Sequence, residues 1–267
     1  CPLTFHGPYI NVEATSPKGT LEYSHLIDSY CRVCSLAAEY HVNHIVFHYT
    51  QKGVLAEEKP YVKDRMIENL GTILDIGKRE GAEILVENLP YPSNGLPLCT
   101  NEEYKELYDL FPNMCGLIDM GHAYLTQLPM GGFLENYGER IHAYHFHNND
   151  GMKDCHNSIL KGKIDYEKFA VLFQKYTPDA RIVLEYEPHA WVSEELMERD
   201  INYVNKLYLN QGDILSETQI FQTFVFCIFI CSSLSNLHLC VGNFYWKLSY
   251  DEGKIQKKGR RIGSCLF

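Results

Sequence analysis

The chain has 267 residues, 45% of them hydrophobic, and a formal charge of −10. That length and apolar content support one large core or two small ones and exclude a disordered chain. Residues 211–267 carry six Lys/Arg against four Asp/Glu, which leaves 18 against 30, or −12, on residues 1–210. Such a body is a poor electrostatic partner for a nucleic-acid backbone.

Short β-branched or apolar runs alternate with stretches of helical period from residue 3 to about 208. "LTFHGPY" reads as a strand, and residues 20–41 read as a helix that contains Cys31 and Cys34. That C-x-x-C has no second pair nearby, so it reads as buried thiols rather than a metal or redox motif. "HIVFHYT" is strand-like, and "KDRMIENLGTILDIGKREG" is a helix with Gly81 as its C-terminal cap. "AEILVENL" and "NEEYKELYDLF" form the next strand and helix, and "CGLIDMGHAY" a strand with its exit, before a weak helix near 131–139. "IHAYHFH" is a strand, "DYEKFAVLFQKY" a helix with Asp165 as N-cap, "RIVLEYEP" a strand, and residues 193–208 a helix capped by Ser193.

Six successive βα units predict a parallel sheet with right-handed crossovers. No G-x-G-x-x-G follows any strand, which argues against a dinucleotide-binding doubly wound sheet. Residues 211–267 break the alternation: "IFQTFVFCIFIC" is too short to span a bilayer, which takes roughly 20 residues, and "KIQKKGRRIG" is basic. This tail stays unassigned, with a hairpin, an appendage or a basic nucleic-acid arm as its candidate roles. No secretion signal opens the chain, and ten cysteines are too few for a disulfide scaffold of this length, so a reduced, cytoplasmic setting is expected.

The polar residues at the successive strand ends are His6, His48, Glu87, Asp119, His145 and Glu185, separated by 26 to 42 residues. Each interval suits one strand, one helix and a return, so the side chains are expected to gather at one end of the sheet. A single histidine or carboxylate at a strand end is ordinarily a solvated residue. Six in succession form a ring of carboxylates and imidazoles that would repel itself without a cation, and the histidines favour zinc, manganese or cobalt over magnesium alone. His122, Asp154 and His156 thicken this site. His145 and His147 share parity, so either is a candidate ligand, whereas His142 has the opposite parity and is expected to face the helices.

The stretches "FHGPYINV", "IVFHYT", "ILVENL", "LIDMGHAY", "HFHNNDGMKDCHNSILKGKIDY" and "IVLEY" together resemble the xylose isomerase-like TIM barrels, a superfamily of sugar-phosphate isomerases and epimerases that also includes the endonuclease IV type of abasic-site nuclease. The resemblance covers residues 3 to about 208 and implies an α/β, (β/α)₈ TIM-barrel domain over residues 1–210. Because the histidine of "FHGPY" corresponds to the third strand of such barrels, it also implies that two N-terminal βα units are missing. The family pattern H-x-x-D, D-x-H, G-x-G-x-I-D aligns on Gly151, Asp154 and His156. His145 is then the ligand, with Asn148 where Asp is usual and Leu160 in place of the first glycine.

The isomerase pattern implies Glu87 and Glu185 as a proton-transferring pair that also ligates a divalent ion, with Asp119 and His145 completing the cage. His122, His156 and His6 would then hold a small carbohydrate. The nuclease pattern implies nine ligands for three zinc ions, and His6, His48, Glu87, Asp119, His122, His145, Asp154, His156 and Glu185 match them by type. His147 is a further candidate ligand. A third expectation is an inactive barrel fragment, whose open sheet edge would favour self-association.

Overall fold

A computed structural model describes residues 3–50, 52–190 and 193–208 and the backbone of four short strands between residues 227 and 261. Six parallel strands, β1 (Thr4–His6), β2 (Ile45–Phe47), β3 (Ile84–Glu87), β4 (Cys115–Asp119), β5 (Ile141–Phe146) and β6 (Arg181–Leu184), stand side by side in chain order. The helices α1 (Leu21–Glu39), α2 (Lys59–Glu80), α3 (Asn101–Leu110), α4 (Met120–Thr126), α5 (Met130–Tyr137), α6 (Tyr166–Tyr176) and α7 (Glu194–Tyr208) connect or follow them. This is the βα alternation that the sequence predicts.

Local chemistry sets the helix boundaries. Thr100 and Glu103 cap α3 reciprocally, the hydroxyl accepting from the Glu103 N–H and the carboxylate from the Thr100 N–H. Asp165 accepts from the Lys168 N–H at 2.9 Å to start α6, and Ser193 accepts from the Leu196 N–H at 3.3 Å to start α7, both as expected.

The sheet curls into an incomplete barrel. Neighbouring strands lie about 4.8 Å apart, so β2 and β6 would be roughly 19 Å apart if the sheet were flat. Yet Arg181, at the start of β6, places Nη1 3.3 Å from Nδ1 of His44, just before β2. Ile84, Val86, Ile118, Tyr144 and Phe146 pack outward against the helices. Val46, Leu85, Leu117 and Ala143 form a separate apolar cluster on the concave side.

Parity then assigns the residues above and below this plug. Two positions beyond it lie His48, Glu87, Asp119 and His145, at the C-terminal ends of the strands; two positions before it lie His44, Glu83 and Cys115.

One residue breaks this alternation. Gly116 pairs with Ile141 and Leu117 with Ala143, so β5 carries one extra residue, His142. Bulges re-aim side chains. His142 accordingly lies 2.6 Å from Glu83 on the concave side rather than facing the helices, as parity alone predicts.

On the other edge, the backbone of Cys227–Phe229 (β7) runs parallel to β1, pairing Phe5 with Ile228. The sequence reading assigns no strand there. An apolar run satisfies the backbone groups that β1 would otherwise expose. The remainder of the 211–267 tail lies outside the described residues, except for three antiparallel strands whose backbone spans Leu237–Val241, Phe244–Asp251 and Lys254–Arg261.

A candidate metal centre at the barrel mouth

Every strand-end residue singled out in the sequence arrives at one place. Glu87 is the hub: its Oε2 lies 2.8 Å from Nε2 of His48, and its Oε1 lies 3.4 Å from His122 Nδ1 and 3.5 Å from His145 Nδ1. His145 Nδ1 is also 3.0 Å from Oε2 of Glu185 and 3.9 Å from Oδ2 of Asp119. The ligand atoms of Glu87, Asp119, His145 and Glu185 all lie within 4.8 Å of one another. The same holds for His6, His48 and Glu87, and for His122, His147, Asp154 and His156. Glu87 therefore belongs to two of three adjoining clusters.

In the third cluster, His147, Asp154 and His156 come from the segment between β5 and α6, and His122 comes from α4. Asp154 Oδ2 is 3.0 Å from His122 Nε2 and 3.2 Å from His156 Nε2. His147 Nε2 is 3.0 Å from both oxygens of Asp119, and its ring stacks on His156 at 3.8 Å between centroids. His145 and His147 thus both point into the mouth, His145 toward the central cage and His147 toward the outer one. His156 sits at φ 42°, a left-handed backbone that a residue with a Cβ adopts at a cost, often at a functional position.

Two residues that the sequence analysis does not single out as site residues hold this arrangement. The Asn88 Oδ1 accepts from the Asp119 N–H at 2.8 Å, and its Nδ2 donates to the Asp119 carbonyl at 3.1 Å, which ties the end of β3 to the end of β4. Tyr166 donates to the His147 carbonyl at 2.6 Å. A two-sided amide clamp leaves no periodic trace in a sequence, and "VEN" alone does not reveal it.

Asn148, in the position where the family pattern has Asp, turns back into its own loop. Its Oδ1 accepts from the Asn149 and Ile164 N–H groups, and its Nδ2 donates to the Ile159 carbonyl. Gly162 leaves room for that carboxamide, which a Cβ would overlap. Gly121 serves the site in the same way. It lies in α4, and the His147 ring occupies the space of its missing side chain.

The electrostatics of the mouth show what the cluster lacks. Burial pushes His6 down to about 4, with His48 adding to the effect. Burial also opposes charge on His122 and His156, but Asp119, Asp154 and Glu87 outweigh it and hold His122 well above the usual histidine range; Asp154 likewise raises His156 to about 9. Burial resists ionisation of Glu185, yet His145 draws it down to about 2, and Glu87 is held well below the carboxylate range against its burial by His48 and His145. The mouth thus favours the charged form of both glutamates, and it favours protons on His122 and His156. A divalent cation would do the same work with those protons released. His48 Nδ1 and His147 Nδ1, both buried, have no hydrogen-bond partner among the described residues. The set of imidazoles and carboxylates fits zinc, manganese or cobalt.

Residues 1–207 match the sequence profile of the xylose isomerase-like TIM barrel. The chain belongs to that family. Solved structures similar to this xylose isomerase-like barrel include a D-tagatose 3-epimerase-like protein, with 21% identity and a TM-score of 0.64 over 77% of this chain and 79% of that one. An IOLI protein with a bound zinc atom gives 16% identity and a TM-score of 0.62 over 78% of each chain. The TTHB071 protein of Thermus thermophilus, soaked with ZnCl2, gives 20% and 0.59 over 80% of each. An uncharacterized protein of Methanocaldococcus jannaschii, MJ1614, is 27% identical over 132 residues. The match covers 48% of this chain and 46% of MJ1614, so the chain spans less than half the length of that relative. These likenesses establish the barrel; the chemistry rests on the side chains at its mouth.

Proposed function

We propose that this barrel is a metal-dependent isomerase or epimerase of a sugar or sugar phosphate. The observation that carries this reading is the placement of Glu87 and Glu185, whose ligand atoms lie within 4.8 Å of those of Asp119 and His145. Solved neighbours with the same fold include a D-psicose 3-epimerase with D-tagatose and a 3-keto-D-glucoside 4-epimerase, which supports carbohydrate as the substrate class.

Glu87, Asp119, His145 and Glu185 would hold the divalent ion, which supplies Lewis acidity toward the substrate carbonyl and its neighbouring hydroxyl. Glu87 ends β3 and Glu185 follows β6, three strands away in the sheet. A carboxylate on one side takes the proton from the carbon next to the carbonyl. Its counterpart, first protonated from solvent, returns that proton from the other side, which inverts the carbon and leaves the first glutamate to lose its proton to solvent before the next turnover. His122, His156 and His6 line the mouth as donors to substrate hydroxyls. His6 and His122 are buried there, and His156 is partly exposed. The expected setting is cytoplasmic, and none of the helices in the described residues is long and apolar enough to cross a membrane.

The test is incubation of the metal-loaded chain with ketoses and ketose phosphates in D2O. Deuterium entering the carbon next to the carbonyl supports the reading, and its absence from the whole panel in the metal-loaded chain counts against it.

A second reading is favoured by the three adjoining clusters around Glu87, which suit three ions and a phosphodiester. An oligonucleotide with one abasic site tests it. Zinc-dependent nicking without any sugar turnover would favour a nuclease over an epimerase, although the −12 charge of residues 1–210 opposes a nucleic-acid surface.

A further inference from the structure

At the opposite end of the strands, below the apolar plug, lies a second group of ligand-type residues that the chemistry at the mouth does not use. Glu83 precedes β3, Cys115 opens β4, and His142 is the extra residue of β5. Their ligand atoms lie within 4.8 Å of one another. Val46, Leu85, Leu117 and Ala143 separate them from the mouth. We propose that Glu83, Cys115 and His142 hold a zinc-class divalent ion at the floor of the barrel, with water as the fourth donor.

Three independent features converge on this reading. The donor set combines thiolate, imidazole and carboxylate, a soft and borderline mixture that suits zinc or cobalt and is poor for magnesium or calcium. His142 reaches the set only because the register slips by one residue between Gly116 and Leu117, which turns it away from the helices. Finally, the outer shell is in place: Arg181 Nη1 lies 3.3 Å from Glu83 Oε2, which leaves Oε1, the oxygen next to His142, for the ion. The same guanidinium nitrogen is 3.3 Å from Nδ1 of His44, whose Nε2 is buried without a hydrogen-bond partner among the described residues.

The Glu83 and His142 side chains are about one-third exposed, so an ion has a route in. Donors around a tetrahedral zinc are roughly 3.3–3.6 Å apart, so loading opens the 2.6 Å His142–Glu83 contact by less than about 1 Å. The thiol proton leaves as Cys115 coordinates. An ion there ties β3, β4 and β5 together at the stability face of the barrel rather than at its catalytic face.

The site can be read separately from the mouth because none of the mouth clusters among the described residues includes a cysteine. Cobalt loaded into the whole chain is expected to give a thiolate-to-metal charge-transfer band. The band should vanish in Cys115→Ser, persist in Cys155→Ser, whose cysteine borders the mouth, and require at least about tenfold more cobalt in His142→Ala. In the unmodified chain, Zn2+ should slow alkylation of Cys115 tenfold or more, read by peptide mass mapping with the partly exposed Cys31 as the internal reference. A cobalt-loaded chain without a thiolate band, a band that survives Cys115→Ser, or Cys115 alkylation unchanged at saturating Zn2+ overturns the proposal. The alkylation measurement needs no variant, so a Cys115→Ser chain that fails to fold leaves the question decided by it.

Discussion

Glu87 and Glu185 carry the proposed proton transfer, so their amides should keep shape and lose chemistry. Glu185→Gln and Glu87→Gln are each expected to lower the rate of deuterium entry by about 10²–10⁴. An unchanged rate in either would remove that residue from the mechanism. Gly121 is a positioning residue: in Gly121→Ala the new methyl meets the His147 ring, and overpacking of this kind costs about 1–3 kcal/mol. The variant should therefore melt earlier and bind metal more weakly, read by calorimetry and metal titration. The residues of the mouth were legible in the sequence because every strand ends on a ligand type. Their supports were not, since Asn88 and Gly121 act through a carboxamide and an empty space that no residue pattern encodes.

At the scale of elements, Asn88 joins two strands that are 31 positions apart. Asn88→Ala leaves the Asp119 N–H buried without its acceptor, a loss of about 1–3 kcal/mol. It should also loosen Asp119 toward both His145 and His147. Unfolding by urea checks the first effect and zinc affinity the second; a neutral outcome in both would mean that β3 and β4 hold their ends without the clamp. The strands and helices were readable because apolar period and capping residues agree, as at Thr100, Asp165 and Ser193. The displaced orientation of His142 was not readable, because a one-residue register slip depends on how Gly116 and Ile141 pair across strands. The pairing of Cys227–Phe229 with β1 escaped for a similar reason: an apolar run does not declare which distant edge it will cover.

Across the whole molecule, the mouth couples proton binding to stability. His156 is raised to about 9 in the fold from about 6.5 in an unfolded chain. The stability it contributes is complete below pH about 6.5 and lost as pH rises through 9. Glu185 is depressed to about 2 from about 4.3, so its contribution is complete above pH about 4.3 and lost as pH falls toward 2. His6, lowered to about 4, adds stability as pH rises from about 4 to 6.5, so the metal-free chain should be most stable near pH 6.5. Saturating zinc should abolish the alkaline decline, because the ion needs the same histidines deprotonated. Melting temperatures across pH, with and without zinc, check both slopes; an alkaline decline that zinc leaves untouched would separate these histidines from the metal.

Anomalous scattering at the zinc edge from a zinc-loaded crystal reads whether strand ends dozens of residues apart hold one cation between them. A peak bonded to Glu87, Asp119, His145 and Glu185 is expected, and a mouth without a peak at saturating zinc would refute the shared cage.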